Sequence, residues 1–477
     1  MTGTASLASL LFDHPFADGA PLLHTREASL SAGAARAHAR GIATRLADRG
    51  VGPGDAVVVR VRGGLRAAVT MFGVWSVGGV LVPVHDRTPA PELTRVLDAT
   101  APRAVVTDRI EMRAGAHSYD PGVAFVTWTS GTTGAPTPLL HEHVGYLALL
   151  DRVLRALRGA DRGAASPPPA NLVPLSLALN AGLYNLCFGL RAGAAVVLMD
   201  GFDTRVFAEL VRRFSITSTV LPPAAMTMLT DDERVTDLAP LRYVRSITAP
   251  LSPLQARRFT EKFGAGVLNG YGQAEIGEVI GWTAADLRTF PDKLGAAGRP
   301  HAGVTVTIAG ADGDPLPTGE VGRLLVRAPA MATGDASGAS LAHRLDATGA
   351  LDTGDFARVD TDGFVWIEGR ASDVINRGGN KVFPDQVEEV LRLGPEVVDA
   401  AVVGVRDRRL GEVPVAFVVG AIGTTDDELR ALCREHLAPY KVPVAFHRID
   451  ALPRSEVGKV LRRELAARHD AATTEPV

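Results

Sequence analysis

Short runs of apolar, mostly β-branched residues recur along this chain, each alternating with a stretch of helical spacing. Residues 56–61 (AVVVRV) precede a helical stretch over 65–75 and a second apolar run at 79–84. The same order recurs as a run at 194–199, a helical stretch at 206–214 and a run at 216–221. Such runs are too short for helices and apolar on both faces, so they predict buried strands. Strands alternating with helices predict parallel sheets covered by helices. From about residue 303 the pattern changes to short strands, VTVTI at 304–308 and GRLLV at 322–326, with hairpin signals at Asp312-Gly313 and Asp362-Gly363. This reads as a small β subdomain.

The C-terminal part reads as a separate α+β unit. Pro384 suits a first helical turn and is followed by Val387, Val390 and Leu391 at helical spacing. Residues 402–405 and 414–419 read as strands. Thr425 and Glu428 have the spacing of a capping box, ahead of Leu429, Leu432 and Leu437. With 477 residues, too many for one ordinary domain, the predicted architecture is α/β with two domains. A large N-terminal domain, 1–370, has α/β layers with parallel sheets plus the β subdomain; a small mobile α+β C-terminal domain spans 371–477. The proline-rich stretch at 165–170 reads as a rigid surface loop, and the polar tail after Ala467 is expected to fray.

Composition narrows the function. Lys and Arg number 50 against 53 Asp and Glu, a net charge of −3 that argues against a nucleic-acid partner bound through phosphates. The two cysteines, Cys187 and Cys433, exclude a disulfide framework and favour a reducing compartment. No apolar run reaches the roughly 18 residues of a membrane span. No positively charged leader opens the chain. A soluble cytoplasmic enzyme is expected.

Four stretches carry chemistry. Thr129, Ser130, Gly131, Thr132, Thr133 and Gly134 follow an apolar run; two glycines and four hydroxyls suit a loop that presents N–H and O–H donors to a polyphosphate. No Gly-Lys-Ser/Thr follows, so this is not a Walker loop. Asn269, Gly270, Tyr271, Gly272, Gln273, Ala274 and Glu275 put an aromatic ring between glycines, where it can lie against a planar base. The carboxylate four residues further on can hold Mg²⁺. Asp355 within DTGD, and Arg370 after it, can accept from and donate to ribose hydroxyls. Lys459, in PRSEVGKVLRR, can bring one ammonium to a reacting phosphate. Each stretch alone also reads as an ordinary turn or a solvated charge.

Together and in this order, the four stretches resemble those of the AMP-forming adenylating superfamily: acyl- and aryl-CoA synthetases, adenylation domains of nonribosomal peptide synthesis, and beetle luciferase. The resemblance runs from about Gly52 to Arg463. It implies a two-step reaction. A carboxylic acid and ATP give an acyl-adenylate and pyrophosphate, and the thiol of CoA or of a carrier-protein phosphopantetheine then takes the acyl group. It further implies that Lys459 bridges carboxylate and α-phosphate, Glu275 holds Mg²⁺, and residues 129–134 cradle the outer phosphates. Thr248, Ala249 and Pro250 would flank adenine with Asn269, Gly270, Tyr271 and Gly272, and Asp355 and Arg370 would hold the ribose. Ser372 and Asp373 would be the hinge, Gly378 and Gly379 would border the thiol channel, and Ser176, Asn180, Ala181, Gly182 and Met226 would line the acyl pocket, with Asn185 as a further polar marker.

The chain departs from the family pattern at Thr137, where a lysine is usual; at Ala274, where a threonine is usual; at Ile247-Thr248-Ala249-Pro250, usually Gly-Gly-Ala-Pro; and at Ser372. Each lost contact is worth about 1–3 kcal/mol in the transition state. No Asp that would meet an α-ammonium occurs between 174 and 198, so an amino acid is disfavoured and an aryl, short or medium acyl acid is expected. The leading reading is a ligase ending in a CoA thioester, the second a ligase loading a carrier protein. The third is a nucleotide-binding relative with weak turnover.

Overall fold

The computed structural model describes residues 6–60, 62–114, 117–128, 138–158, 168–329, 331, 334–335, 341–394, 396–454 and 460–474. The chain forms two compact units, residues 1–305 with 327–351, and 306–326 with 352–477.

The first unit holds two sheets. In the seven-stranded sheet, Ala56–Val59, Val80–Pro83, Ala104–Val106 and Val123–Trp128 run parallel, and Pro138–Glu142, Gly334–Asp335 and Ile110–Met112 join antiparallel at its edges. In the nine-stranded sheet, Pro21–His24, Val196–Leu198, Asn171–Val173, Ser218–Leu221, Tyr243–Ser246 and Gly266–Gln273 are parallel neighbours. The predicted parallel sheets are therefore present.

Period-two alternation splits each strand between two cores. Ala56, Val58, Val80 and Val82 face a cluster with Val96 of the helix Ala90–Thr100. Val57, Val59 and Leu81 face a larger cluster shared with Val173, Val196 and Leu198 of the other sheet. Between the sheets lie the helices Ala32–Ala47, Gly64–Ser76 and Asn180–Arg191, which bury Ala39, Phe72 and Leu186 in that cluster. The far face of the nine-stranded sheet, with Leu172, Val197 and Val244, is covered by Thr204–Arg213, Pro223–Asp231 and Pro253–Phe263 through Phe207, Leu229 and Phe259. Helix layers thus enclose both sheets, as strands apolar on both faces require.

The second unit begins with a four-stranded sheet of Thr305–Ala309, Gly322–Arg327, Leu351–Val359 and Val365–Arg370. The Asp362-Gly363 turn forms as expected: Gly363 has φ +79°, and the Asp360 carboxylate accepts the N–H groups of Asp362 and Phe364. A second sheet pairs Val397–Asp407 with Gly411–Gly420, flanked by Ile375–Arg377, Asn380–Val382 and Ala445–Arg448. Helix Pro384–Leu391 starts at the proline, and Thr425 caps Asp426–His436 through a reciprocal box with Glu428. Both helices cover one face of this sheet, whereas helix Arg462–Thr474 covers the other through Leu465. That helix corrects one expectation. The chain after Ala467 is helical through Thr474, because Leu465 is fully buried and His469 lies 2.8 Å from the His447 ring nitrogen.

One non-glycine backbone position stands out near the strand ends. Thr248, two residues beyond Tyr243–Ser246, has φ +79°. A β-branched residue in the left-handed region is strained by about 1–3 kcal/mol. Thr248→Gly should raise unfolding stability by about 1 kcal/mol in urea titration, net of the entropy that glycine adds to the unfolded chain. A variant less stable than the parent would contradict the strain.

Two buried histidines make the first unit acid-sensitive. His141 stacks on Phe125 at 4.5 Å and has its Nε2 2.8 Å from the Thr127 hydroxyl. His143 accepts the Leu7 N–H on Nδ1. Burial lowers both to a pKa of about 4 from the ordinary 6.5. Between these values the folded state binds fewer protons than the unfolded chain, so stability falls as pH falls from 6.5 toward 4. Melting temperature across that range should decline steadily, and His141→Gln should shallow the slope; a flat parent profile would refute the assignment.

Candidate functional site

The parallel strands Tyr243–Ser246 and Gly266–Gln273 are paired in register, Ser246 opposite Asn269. Both therefore release their chains at the same edge, the carboxyl edge, where ligands bind in open parallel sheets. The first passes into Thr248, Ala249 and Pro250, of which Thr248 and Pro250 are exposed. The second carries Asn269, Gly270, Tyr271 and Gly272 and leads to Glu275. Asn269 is fixed on both sides: Nδ2 donates to the Ala296 carbonyl, and Oδ1 accepts the Gly270 N–H. The Tyr271 hydroxyl accepts from Gln273 Nε2 at 3.2 Å. The structure thus brings the two stretches expected to flank adenine to one edge of the sheet.

Glu275 is buried, and Arg344 Nη1 lies 2.5 Å from its Oε1. No cluster of three or more His, Cys, Asp or Glu able to hold a metal occurs among the described residues. A single buried carboxylate with one oxygen on Arg344 fits Mg²⁺, which commonly takes one or two carboxylates and completes its shell with phosphate and water oxygens.

The expected acyl-pocket residues divide. Asn180 Oδ1 accepts the Tyr146 hydroxyl at 3.3 Å, where helix Asn180–Arg191 begins. Ser176 Oγ accepts the Ala178 N–H, and Asn185 Nδ2 donates to the Ala181 carbonyl, so both satisfy local backbone. A Cβ on Gly182 would lie 2.0 Å from the Ser176 carbonyl oxygen, so glycine permits this close approach. Met226 is fully buried in the core cluster with Phe207 and Phe259.

Beside these residues lies a charged cluster that motif reading misses. Arg245, on Tyr243–Ser246, meets Glu278, on Gly277–Gly281, with Nε 2.9 Å from Oε2 and Nη2 on Oε1. His301 Nε2 is 3.1 Å from the same carboxylate. Burial alone would raise the Glu278 pKa, but Arg245 and His301 hold it down at about 2. The Tyr184 hydroxyl, near enough to feel Glu278, Arg245 and Arg152, is buried without a hydrogen-bond partner, and burial pushes its pKa far up. The available sequence signal was an arginine inside an otherwise buried parallel strand.

In the second unit, Asp355 and Arg370 face each other across a strand pair, with Nε 2.8 Å from Oδ1. Asp355 is 3% exposed and its N–H donates to Thr353 Oγ1. Ser372 Oγ donates to Asp373 Oδ1 at 2.8 Å. Gly378 and Gly379 form the two-residue turn between Ile375–Arg377 and Asn380–Val382, at φ +56° and +86°. Paired positive φ values are the geometry of a type I′ hairpin, which by itself calls for glycine.

Lys459 lies outside the described residues, as do Thr129, Ser130, Gly131, Thr132, Thr133, Gly134 and Thr137. Their flanks are described. Trp128 pairs with Pro138 across an antiparallel hairpin. Arg454 bridges to Val460, and the Leu461 N–H donates to the Pro453 carbonyl. Arg462 then anchors this stem: Nη2 is 2.7 Å from Asp385, Nη1 bonds Glu388, and Nε is 3.3 Å from Asp373.

Comparisons with known proteins agree with this layout. Residues 16–121 and 116–334 match the AMP-binding enzyme family, and residues 386–459 match the AMP-binding enzyme C-terminal domain. The putative acyl-CoA ligase YdaB of Bacillus subtilis (strain 168) is 27% identical over 94% of this chain and 96% of its own length. The fatty acid–acyl-carrier-protein ligase ScoC of Streptomyces coeruleorubidus is 29% identical over 90% and 89%. The crystal structure of ATP-bound MatB from Rhodopseudomonas palustris superposes with a TM-score of 0.88 over 98% of this chain and 100% of that one, at 24% identity. No helix among the described residues is long and apolar enough to cross a membrane. With family matches spanning both its large N-terminal part and its C-terminal domain, the chain belongs to the AMP-binding enzyme family.

Proposed function

We propose that this protein activates a small carboxylic acid with ATP and passes the acyl group to a thiol, in the manner of an acyl- or aryl-CoA ligase. The observation that supports this reading is the register of two parallel strands, which pairs Ser246, two residues before Thr248, with Asn269, the first residue of the stretch that leads to Glu275. Full-length similarity to ligases acting through CoA or a carrier protein supports it.

In the first step a carboxylate oxygen attacks the α-phosphorus of ATP. The bond to the β-phosphate oxygen breaks, and pyrophosphate departs with the electron pair. An anion approaching a polyanion needs pre-placed positive charge and donors. Lys459 is assigned the ammonium for this step, and residues 129–134 the donors for the outer phosphates. Tyr271 lies against adenine, and Asp355 and Arg370 take the ribose hydroxyls. Bound at Glu275, Mg²⁺ would neutralise phosphate charge. In the second step the thiol sulfur, having lost its proton, attacks the acyl carbon and AMP leaves with the carboxyl oxygen. The domain 371–477 is assigned a turn about Ser372 and Asp373 between the steps, and Gly378 and Gly379 are assigned to the thiol channel.

The similarity to ScoC across 90% of the chain keeps a carrier-protein phosphopantetheine as the alternative acceptor. Acid-dependent exchange of labelled pyrophosphate into ATP tests the first step, and absence of exchange across aryl and acyl acids would favour a nucleotide-binding relative. Thioester formation with CoA, measured beside holo carrier protein, decides the acceptor. Lys459→Ala should lower exchange by about a hundredfold or more while conversion of a supplied acyl-adenylate to thioester persists. Equal loss of both half-reactions would assign the lysine elsewhere.

A further inference from the structure

The charged cluster at Glu278 stands where the two ligand stretches of the first unit meet. Tyr184 is on the helix that starts at Asn180, the acyl-pocket segment. Arg245 is one residue before Ser246, whose strand end leads to Thr248. Glu278 is three residues beyond Glu275, and a Cβ on Gly270 would lie 3.4 Å from its carboxyl.

The cluster has more positive charge and more donors than its own acceptors consume. Arg245 and Arg152 both feel the single carboxylate of Glu278. Arg152 spends Nη1 on the Pro329 carbonyl and Nη2 on those of Ile276 and Glu278, yet its Nε is buried without a hydrogen-bond partner. The Tyr184 hydroxyl is buried and unpartnered as well. Unmet buried donors are costly, and a ligand oxygen placed among them relieves that cost. A plain hydrocarbon end would leave it in place.

We propose that Tyr184, Arg245, Glu278 and His301 form the distal end of the acyl pocket and select small acids carrying a second oxygen acceptor remote from the reacting carboxylate. This rests on the reading of the chain as a carboxylate-activating enzyme. It replaces the expectation of an apolar pocket marked by Ser176 and Asn185, whose polar atoms serve local backbone.

Matched acids test the assignment on the full chain. Succinate is compared with butanoate, and 4-hydroxybenzoate with benzoate, by thermal shift without ATP and by KM in pyrophosphate exchange. The acceptor-bearing member of at least one pair should give the larger shift and a KM about tenfold lower; equal values in both pairs overturn the proposal. Tyr184→Phe removes only the hydroxyl and should shrink that preference without lowering the melting temperature. Arg245→Met with Glu278→Leu replaces a buried pair by apolar side chains, a change that generally spares folding. This double variant should lose the preference and accept butanoate, benzoate or octanoate with a lower KM than the parent. An unchanged ranking in both variants overturns the proposal. Unequal thermal shifts without exchange by any acid would count against adenylation while leaving the pocket assignment standing.

Discussion

Strands buried on both faces have no free side on which to place chemistry, and that constraint shapes the first unit. Its parallel strands are apolar above and below, so reactive or ligand-binding groups can sit only where the strands end. Register then becomes a functional quantity. With Ser246 opposite Asn269, the first strand ends beside the start of the stretch Asn269–Gln273 on its neighbour, and the residues at these positions share one edge. A slip of one position would invert the alternation of Val244 and Arg245 between core and polar face, so hydrophobic burial and site geometry are fixed by the same pairing.

Pairing with arginine is how this chain holds its buried carboxylates in place. Glu275 with Arg344, Glu278 with Arg245 and Asp355 with Arg370 each join a carboxylate exposed by 9% or less to a guanidinium that reaches it from another segment. Such pairs add little net stability, because desolvation offsets attraction. Their effect here is positional: each carboxylate has its orientation set before any ligand arrives. For Glu275 and Asp355, both assigned to the nucleotide, the partner is a long side chain able to yield an oxygen without movement of the backbone.

The sequence was most legible where period and capping decide the outcome. Continuous apolar runs at 56–61 and 79–84, separated by a helical stretch, foretold buried parallel strands, Pro384 and Thr425 foretold the helix starts they make, and Asp362-Gly363 foretold its hairpin. The tail misled because the helix that Leu465 and Ala466 pack onto the sheet begins before it, at Arg462, and runs on through its polar residues to Thr474. Motif order pointed to the family, which the matches bear out, since those residues stand in local sequence runs. It did not reveal the cluster of Tyr184, Arg245, Glu278 and His301, whose members are spread over more than a hundred positions and meet only once helix Asn180–Arg191 and the strands are packed together. Polar markers read from one segment, Ser176 and Asn185, proved to serve their own backbone. Composition within a segment cannot tell a group that faces a ligand from one that closes a turn.

Arg462 gathers Asp373, Asp385 and Glu388, which belong to the hinge stretch and to the helix that follows it, and it stands three residues after Lys459. One guanidinium therefore ties the start of the last helix to the stretch at 373 and to helix Pro384–Leu391. Any rotation of the backbone near 373 must therefore carry the last helix and Pro384–Leu391 together as a single piece, because separating them would strip three carboxylates from one cation.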